Sequence, residues 1–380
     1  MTKLKRIAAA AAAVMAMATA PAMADLKIGV LTTDSGPAGL FGPSTRNSAE
    51  LAAKWINENG GILGQQIVLV PGDVGVPPAE ATQTAVRLWR GEKVDAFIGA
   101  HDSAVREALV GRFNGQVPLV YTTLYEGNAC ASGLYVTGET PSQLLAPVIP
   151  WLARERGATK WYVIGHDYNW PRKTSELAHG YIASAGGEVV GEEFVPFSVT
   201  EFDSSLQRIK ASGANAVLVL LVGGGSVSFN VAYAGFGLDE QAIRLGPIIE
   251  ENTLAGIGAA NSKGIYSSAG YFEAVDTEAA NGFRAAYGEA FGPDAALLNP
   301  MGESAYQGLV FLKALAERAG SLDVAALDAA AEGTTFDSPR GQGIMHGRHV
   351  AQNIYLAEAD GAKYRVIQSF EKVPSTEACP

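Results

Sequence analysis

Apolar and polar positions in the first third of the chain form two alternating patterns. Short apolar runs typical of buried strands occur at 26–31, 66–70, 96–99 and 117–120. Between them, segments with apolar residues every three or four positions predict helices at 47–59, at 79–89 and from about 104 onward. Strands that alternate with helices through short links predict a parallel sheet with helices on both faces.

The same alternation begins again after Pro141. Predicted helices and strands follow one another at 144–156, 160–165, 173–185, 188–194, 204–212 and 216–221. The run at 216–221 is continuously apolar, as expected of a strand that is buried on both faces. The sequence therefore predicts an α/β protein with two doubly wound parallel-sheet lobes, and it places the first crossing between the lobes near residues 139–142.

The N-terminal residues have the pattern of an export signal. Three cations open the chain: Lys3, Lys5 and Arg6. An apolar, alanine-rich run covers about 7–20, and a small-x-small cleavage site follows at 22–24. The run is too short and too alanine-rich to span a bilayer. We predict a signal peptide over residues 1–24, a mature chain that starts at Asp25, and a periplasmic location without a lipid anchor.

Charge and cysteine content narrow the class of protein further. The chain has a net charge of −11, and loss of the basic leader would make it more negative. This charge argues against nucleic acid or an anionic membrane surface as a partner. The two cysteines, Cys130 and Cys379, predict one disulfide in an oxidising compartment, with two unrelated thiols as the alternative.

Polar and aromatic residues gather where the predicted strands end, which is where open parallel sheets bind ligands. These residues lie in both lobes, at 33–36, 101–103, 121–127, 166–172, 223–226 and 250–252. Hydroxyls and N–H groups would hydrogen-bond a small polar ligand, and rings would stack on it. The alternative for Ser103 and Thr123 is a helix-capping role. Gly224 would let the backbone approach a ligand or the other lobe. Glu250 is either a helix-start carboxylate or an acceptor for the N–H groups of a ligand.

Signals for catalysis or metal binding are weak. His346 and His349 have ligand-like spacing, but nearby glycines favour a hairpin. The pairs 101–102 and 166–167 combine histidine with aspartate, yet they lie in different lobes and too few other histidines accompany them. The glycine-rich stretch 223–226 lacks the lysine of a phosphate-binding loop, and no nucleophile–base pair is evident. We expect no cofactor, no metal site and no enzymatic activity.

Several stretches resemble one known family. They are 52–64, 103–108, 125–127, 165–172, 271–272 and 275–277. The first is similar to the first-helix signature of periplasmic binding proteins of the Leu/Ile/Val-binding type (type I), and the others resemble its amide- and urea-binding branch. The sequence departs from the branch at His101, Leu124 and Ile248, where another aromatic residue, a proline and a hydroxyl residue are usual.

The resemblance implies a site and a domain plan. It places five residues at ligand-contacting positions: Ser103, Tyr121, Thr123, Tyr168 and Trp170. To these we add His101, Gly224 and Glu250 from the strand ends. The implied lobes, joined by a multi-segment hinge, are 25–140 with 274–335 and 141–273 with 336–372, and 373–380 forms a tail.

The implied function is capture of a small polar solute by hinge closure, as the substrate-binding component of an ABC transporter. The partner would be an inner-membrane ABC permease, and the protein would be a monomer or a weak dimer. The expected solute is a short amide or urea-like compound. The alternatives are a receptor for a neutral or branched-chain amino acid, an exported enzyme of the amidohydrolase type, and a sensory ligand-binding module.

Overall fold

The computed structural model describes residues 24–99, 101–377 and 379. The strands described are β1 Leu26–Thr32, β2 Ile67–Asp73, β3 Ala96–Gly99, β4 Leu119–Tyr121, β5 Leu134–Val136, β6 Lys160–His166, β7 Glu188–Val195, β8 Ala216–Leu220, β9 Ile243–Leu245, β10 Ile265–Ala269, β11 Thr335–Ser338, β12 Gly341–His346, β13 His349–Asp360 and β14 Lys363–Val373. The α-helices described are α1 Gly42–Glu58, α2 Pro78–Val86, α3 Ser103–Phe113, α4 Pro141–Leu144, α5 Val148–Arg156, α6 Asn169–Ser184, α7 Asp203–Ser212, α8 Gly223–Gly235, α9 Glu251–Ile257, α10 Glu278–Phe291, α11 Pro300–Ala319 and α12 Val324–Ala331.

The first lobe is built on a parallel sheet with the strand order β2-β1-β3-β4-β5. Ile28 and Ile98 point to one face and pack against Leu309 and Leu312 of α11. Apolar residues of α2 and α3 cover the other face, where Leu109 lies in the same core as Phe97. Burial on both faces explains why these strands are continuously apolar in the sequence.

The second lobe repeats this plan. Its parallel strands are ordered β7-β6-β8-β9-β10, and β13 with β14 continues the sheet in antiparallel fashion. Leu206 of α7 and Phe229 of α8 pack on one face, and Leu152 of α5 and Ile182 of α6 pack on the other. The predicted fold class, two doubly wound α/β lobes, is confirmed.

Strand β13 connects the two sheets. Its first residues, 349–351, pair with β5 and β12 of the first lobe, and residues 355–358 pair with β10 of the second. The hairpin β11–β12 therefore lies with the first sheet, whereas the sequence-based plan placed residues 336–372 in the second lobe. In the structure the hairpin adds to the first sheet before β13 passes to the second sheet.

A buried guanidinium lies where the chain passes between the lobes. Arg340 Nη1 donates to Glu139 Oε1 at 2.6 Å and to Gln352 Oε1 at 3.0 Å, and its Nε donates to Glu303. Glu139 Oε1 also accepts the N–H of Gly270 at 2.8 Å. Glu139, Gly270 and Gln352 belong to three different chain crossings, so this buried cluster, which we call the hinge cluster, ties all three together.

The C-terminal tail returns to the first lobe. Cys130 and Cys379 form a disulfide with a Cα–Cα distance of 5.5 Å. The N–H of Asn128 donates to the carbonyl of Glu377 at 2.9 Å, and the N–H of Cys379 donates to the carbonyl of Gly347 at 2.9 Å. Apart from its last residue, the predicted signal peptide lies outside the described residues. No helix in the described part is long and apolar enough to cross a membrane.

Candidate functional site

A cavity of about 360 Å³ lies between the lobes, at the carboxyl ends of the parallel strands. In the first lobe it is lined from the segments that follow β1, β2, β3 and β4. In the second lobe it is lined from the segments that follow β6, β7, β8 and β9. The cavity therefore lies where ligands are expected to bind in open parallel sheets, beyond the carboxyl ends of the strands.

The second-lobe wall is mainly aromatic and apolar. Tyr168 precedes α6 and Trp170 lies in its first turn, with ring centroids 6.3 Å apart. Phe197, which follows β7, lies 5.2 Å from the ring of Tyr168. Val222 and Ile248 complete this wall. Such a surface packs against a flat apolar body and excludes water from it.

Six of the eight ligand-binding residues predicted from the sequence line the cavity: His101, Ser103, Tyr121, Thr123, Tyr168 and Trp170. The other two lie outside the lining. Glu250 is a buried helix cap whose carboxylate accepts the N–H groups of Asn252 and Thr253 at 2.7 Å each. Gly224 is exposed at the start of α8. Its neighbour Gly223, and not Gly224, lies directly against the other lobe. A Cβ atom added at Gly223 would be 1.9 Å from the carbonyl oxygen of Pro37.

Among the lining side chains that sequence reasoning did not single out are Phe41, Phe197 and Met301, and it named Asp102 only as part of the strand end at 101–103. Phe197 follows a predicted strand, so the position of that strand's end would have indicated it. Phe41 and Met301 come from the starts of α1 and α11, where no strand end points to them.

Two hydroxyls of the first-lobe wall have their protons engaged within the protein. The Ser103 hydroxyl donates to Glu126 Oε2 and accepts from Arg106 Nη1 at 3.2 Å. The Tyr121 hydroxyl donates to the carbonyl of His101 at 2.6 Å. A hydroxyl has one proton and two lone pairs, so both groups have only acceptor capacity left for a ligand.

Asp102 adds a further acceptor to the cavity, whereas the unpaired ring nitrogen of His101 is buried. The Nδ1 of His101 lies 3.2 Å from the carbonyl oxygen of Asp102, which can only accept, so we assign the proton to Nδ1. Nε2 is then an acceptor without a partner among the described residues, but it is buried against Gly99 and is not accessible from the cavity. Burial lowers the pKa of His101 to about 4, which keeps the ring neutral at pH 7. Asp102 caps α3 through Oδ1, which accepts from the N–H of Val105 at 2.9 Å, and burial raises its pKa.

Donors come from the opposite wall. Within the described residues, neither the Tyr168 hydroxyl nor the Trp170 indole N–H has an acceptor. Burial raises the pKa of Tyr168, so its hydroxyl stays protonated and can donate. The lining contains no Lys or Arg among the described residues, and Asp102 is its one carboxylate. The polar side chains of the first-lobe wall thus offer acceptors, and those of the second-lobe wall offer donors.

Two α/β lobes that enclose a small cavity, joined by three crossings, define a solute-binding receptor. The chain matches the family model "Periplasmic binding protein" over residues 25–363. It therefore belongs to the periplasmic binding protein family, and this membership implies a periplasmic location. The described residues contain no group of three or more His, Cys, Asp or Glu placed to hold a metal ion.

Similar proteins agree with this assignment. The chain is 30% identical to the Leu/Ile/Val-binding protein homolog 6 of Brucella melitensis, over 97% of this chain and 98% of the relative. A solute-binding protein of an ABC transporter from Rhodopseudomonas palustris HaA2, solved with p-hydroxybenzoic acid, has a TM-score of 0.84 and 26% identity, covering 92% of this chain and 98% of that one. A branched-chain amino acid transporter substrate-binding protein from Streptococcus pneumoniae, at 20% identity, shares the fold with a TM-score of 0.81 over 92% of this chain and all of its own.

Proposed function

We propose that this protein is the solute-binding component of an ABC transporter and that its solute is an uncharged amide with an aromatic or similarly sized apolar body. The solute would lie between the lobes, with its N–H groups toward the first and its carbonyl toward the second. Closure of the lobes would then present the loaded protein to an inner-membrane permease.

The division of hydrogen-bonding groups between the two walls carries this proposal. Ser103, Tyr121 and Asp102 offer acceptors, and Tyr168 and Trp170 offer donors. An amide group has N–H donors on one side and a carbonyl acceptor on the other, in one plane. It satisfies both walls without bringing a charge into a cavity lined mostly by apolar atoms.

The size of the cavity favours a substituted amide over the simplest ones. A volume of 360 Å³ lies within the range of roughly 300–1,000 Å³ that is usual for pockets holding ring-containing small molecules. Urea or formamide would occupy a small part of this space and leave the aromatic wall without contacts. A ring between Tyr168, Trp170 and Phe197 would bury that wall.

An aromatic carboxylate is the competing solute, because the R. palustris relative was solved with p-hydroxybenzoic acid. That relationship supports a ring-sized body. The lining argues against the acid group itself, because a carboxylate would meet the Asp102 carboxylate without a lining cation to offset it. An amino acid, suggested by the name of the Brucella relative, would have to place its ammonium on Asp102, since the Glu250 carboxylate is engaged as a cap.

The test compares 4-hydroxybenzamide with 4-hydroxybenzoate, which have the same ring and nearly the same shape but differ in charge. Isothermal titration calorimetry at pH 7 should give the amide at least about tenfold tighter binding. Acetamide, urea and leucine complete the panel. Tighter binding of the acid, or binding of leucine alone, would overturn the amide class and leave the receptor role in place.

A further inference from the structure

We propose that Glu126, which does not line the cavity, determines the preference for an amide over the matching carboxylate by holding Ser103 as a hydrogen-bond acceptor. This inference rests on the proposed function and deepens it. Glu126 acts through another residue, so it is a positioning residue and not a ligand contact.

Glu126 lies directly behind Ser103. Its carboxylate is buried, with Oε2 accepting the Ser103 hydroxyl and Oε1 accepting Arg106 Nη2 at 2.8 Å. Arg106 is also buried, and its Nη1 donates to Ser103 Oγ at 3.2 Å. The three side chains form a closed triangle in which each partner's role is fixed, because a carboxylate only accepts and a guanidinium only donates.

This triangle has a consequence at the cavity. The one proton of Ser103 points away from the ligand, so the remaining lone pair faces a group that must donate. An amide N–H satisfies it, whereas a carboxylate oxygen would meet an acceptor. A mismatch of this kind, without water to relieve it, lowers affinity by roughly five- to 150-fold.

The surroundings of the triangle hold Arg106 in place. Its guanidinium carbon lies 4.6 Å from the ring centroid of Tyr125 and 5.3 Å from that of Tyr121. It therefore remains the donor to Oε1 when the side chain at position 126 changes. In Glu126→Gln the amide oxygen would take the guanidinium, the amide N–H₂ would face Ser103, and the serine proton would turn toward the ligand.

The experiment measures binding of 4-hydroxybenzamide and 4-hydroxybenzoate to wild type, Glu126→Gln, Ser103→Ala and the double variant. Glu126→Gln should shift the amide-to-acid affinity ratio toward the acid by about tenfold. In the Ser103→Ala background the same change should shift the ratio by less than about threefold, because no hydroxyl remains to reorient. A thermal melt of each variant confirms that it is folded.

Glu107→Gln is the matched control. It removes the same charge beside the same arginine, since Glu107 Oε1 lies 3.6 Å from Arg106 Nη2, but Glu107 does not contact Ser103. The affinity ratio should stay at the wild-type value. An equal shift in the presence and absence of the Ser103 hydroxyl, or no shift, would overturn the role of Glu126. The amide-to-acid affinity ratio of the wild type tests the proposed solute class separately. The role of Glu126 is judged only from the change in this ratio between variants.

Discussion

Trp170 has two roles, since its side chain packs in the second-lobe core and also faces the cavity. It is only 3% exposed and belongs to the same buried cluster as Leu145 and Trp161. We predict that Trp170→Ala weakens solute binding by about tenfold or more through lost contact area, and that it also lowers the melting temperature. Titration calorimetry and thermal denaturation measure the two effects.

Trp161 provides the comparison. It is fully buried in the same cluster, its N–H donates to the carbonyl of Ala158 at 3.1 Å, and it does not line the cavity. Trp161→Phe should lower stability and leave affinity unchanged. A Trp170→Ala protein that melts earlier but binds normally would show that Trp170 is only a core residue.

Asp102 should make binding dependent on pH. Burial raises its pKa above the usual value, so on acidification it takes up a proton earlier than an exposed aspartate. The protonated carboxyl is a weaker acceptor for a ligand N–H, and amide affinity should therefore fall as the pH drops from 7 toward 4.5. In Asp102→Asn, which keeps an oxygen to cap α3, the pH dependence should flatten. An unchanged slope would exclude Asp102 as the titrating group.

At the scale of elements, the start of α8 controls how closely the lobes approach. Gly223 has φ of +57°, and a Cβ there would lie 1.9 Å from the carbonyl oxygen of Pro37 in the first lobe. We predict that Gly223→Ala weakens binding at least tenfold, because the lobes could not close over the solute. Small-angle scattering should show that ligand reduces the radius of gyration of wild type more than that of the variant.

Gly224→Ala is the control for this prediction. A Cβ at Gly224 would meet nothing within 4 Å, and its φ is not in the left-handed region. Affinity and compaction should match wild type. If both alanine variants bind equally well, the contact between Gly223 and Pro37 does not limit closure.

The elements themselves were largely predictable through β8. The apolar run at 216–221 forms β8, Ala216–Leu220. It was recognisable because a strand that is buried on both faces consists almost entirely of apolar residues. Helix α1 was harder, since it begins at Gly42 instead of Asn47, with a proline at its start. Strand β13 could not be assigned locally, because its partners in both sheets are far away in the sequence.

The candidate site, like the fold, could be predicted only in part from the sequence. Ser103 and Tyr168 line the cavity, as expected where strand ends converge by topology. Glu250 lies outside the lining, since a carboxylate at a strand end is equally suited to cap the next helix. The acceptor role of Ser103 depends on the approach of Glu126, which a linear sequence does not show.

For the whole molecule, the disulfide between Cys130 and Cys379 should be a main support of stability. The residues lie 249 apart, and closing so long a loop stabilises by up to about 5 kcal/mol in the chain-entropy model. The double variant Cys130→Ser, Cys379→Ser should melt well below wild type, and reductant should not affect it further. Thiol titration of the unreduced, denatured wild type should find no free thiol; two free thiols would contradict the bond.

The hinge cluster around Arg340 has a mechanical consequence. Because one guanidinium, with Glu139, contacts all three crossings, we expect the lobes to open by rotation about this cluster as a nearly stationary pivot. Displacement grows with distance from a pivot, as along a lever arm, so the rims at Pro37 and Gly224 travel farther than groups beside Arg340. A pair of fluorophores on those rims would convert solute capture into a large optical signal, and the pocket could be redesigned for other solutes while the pivot is left intact.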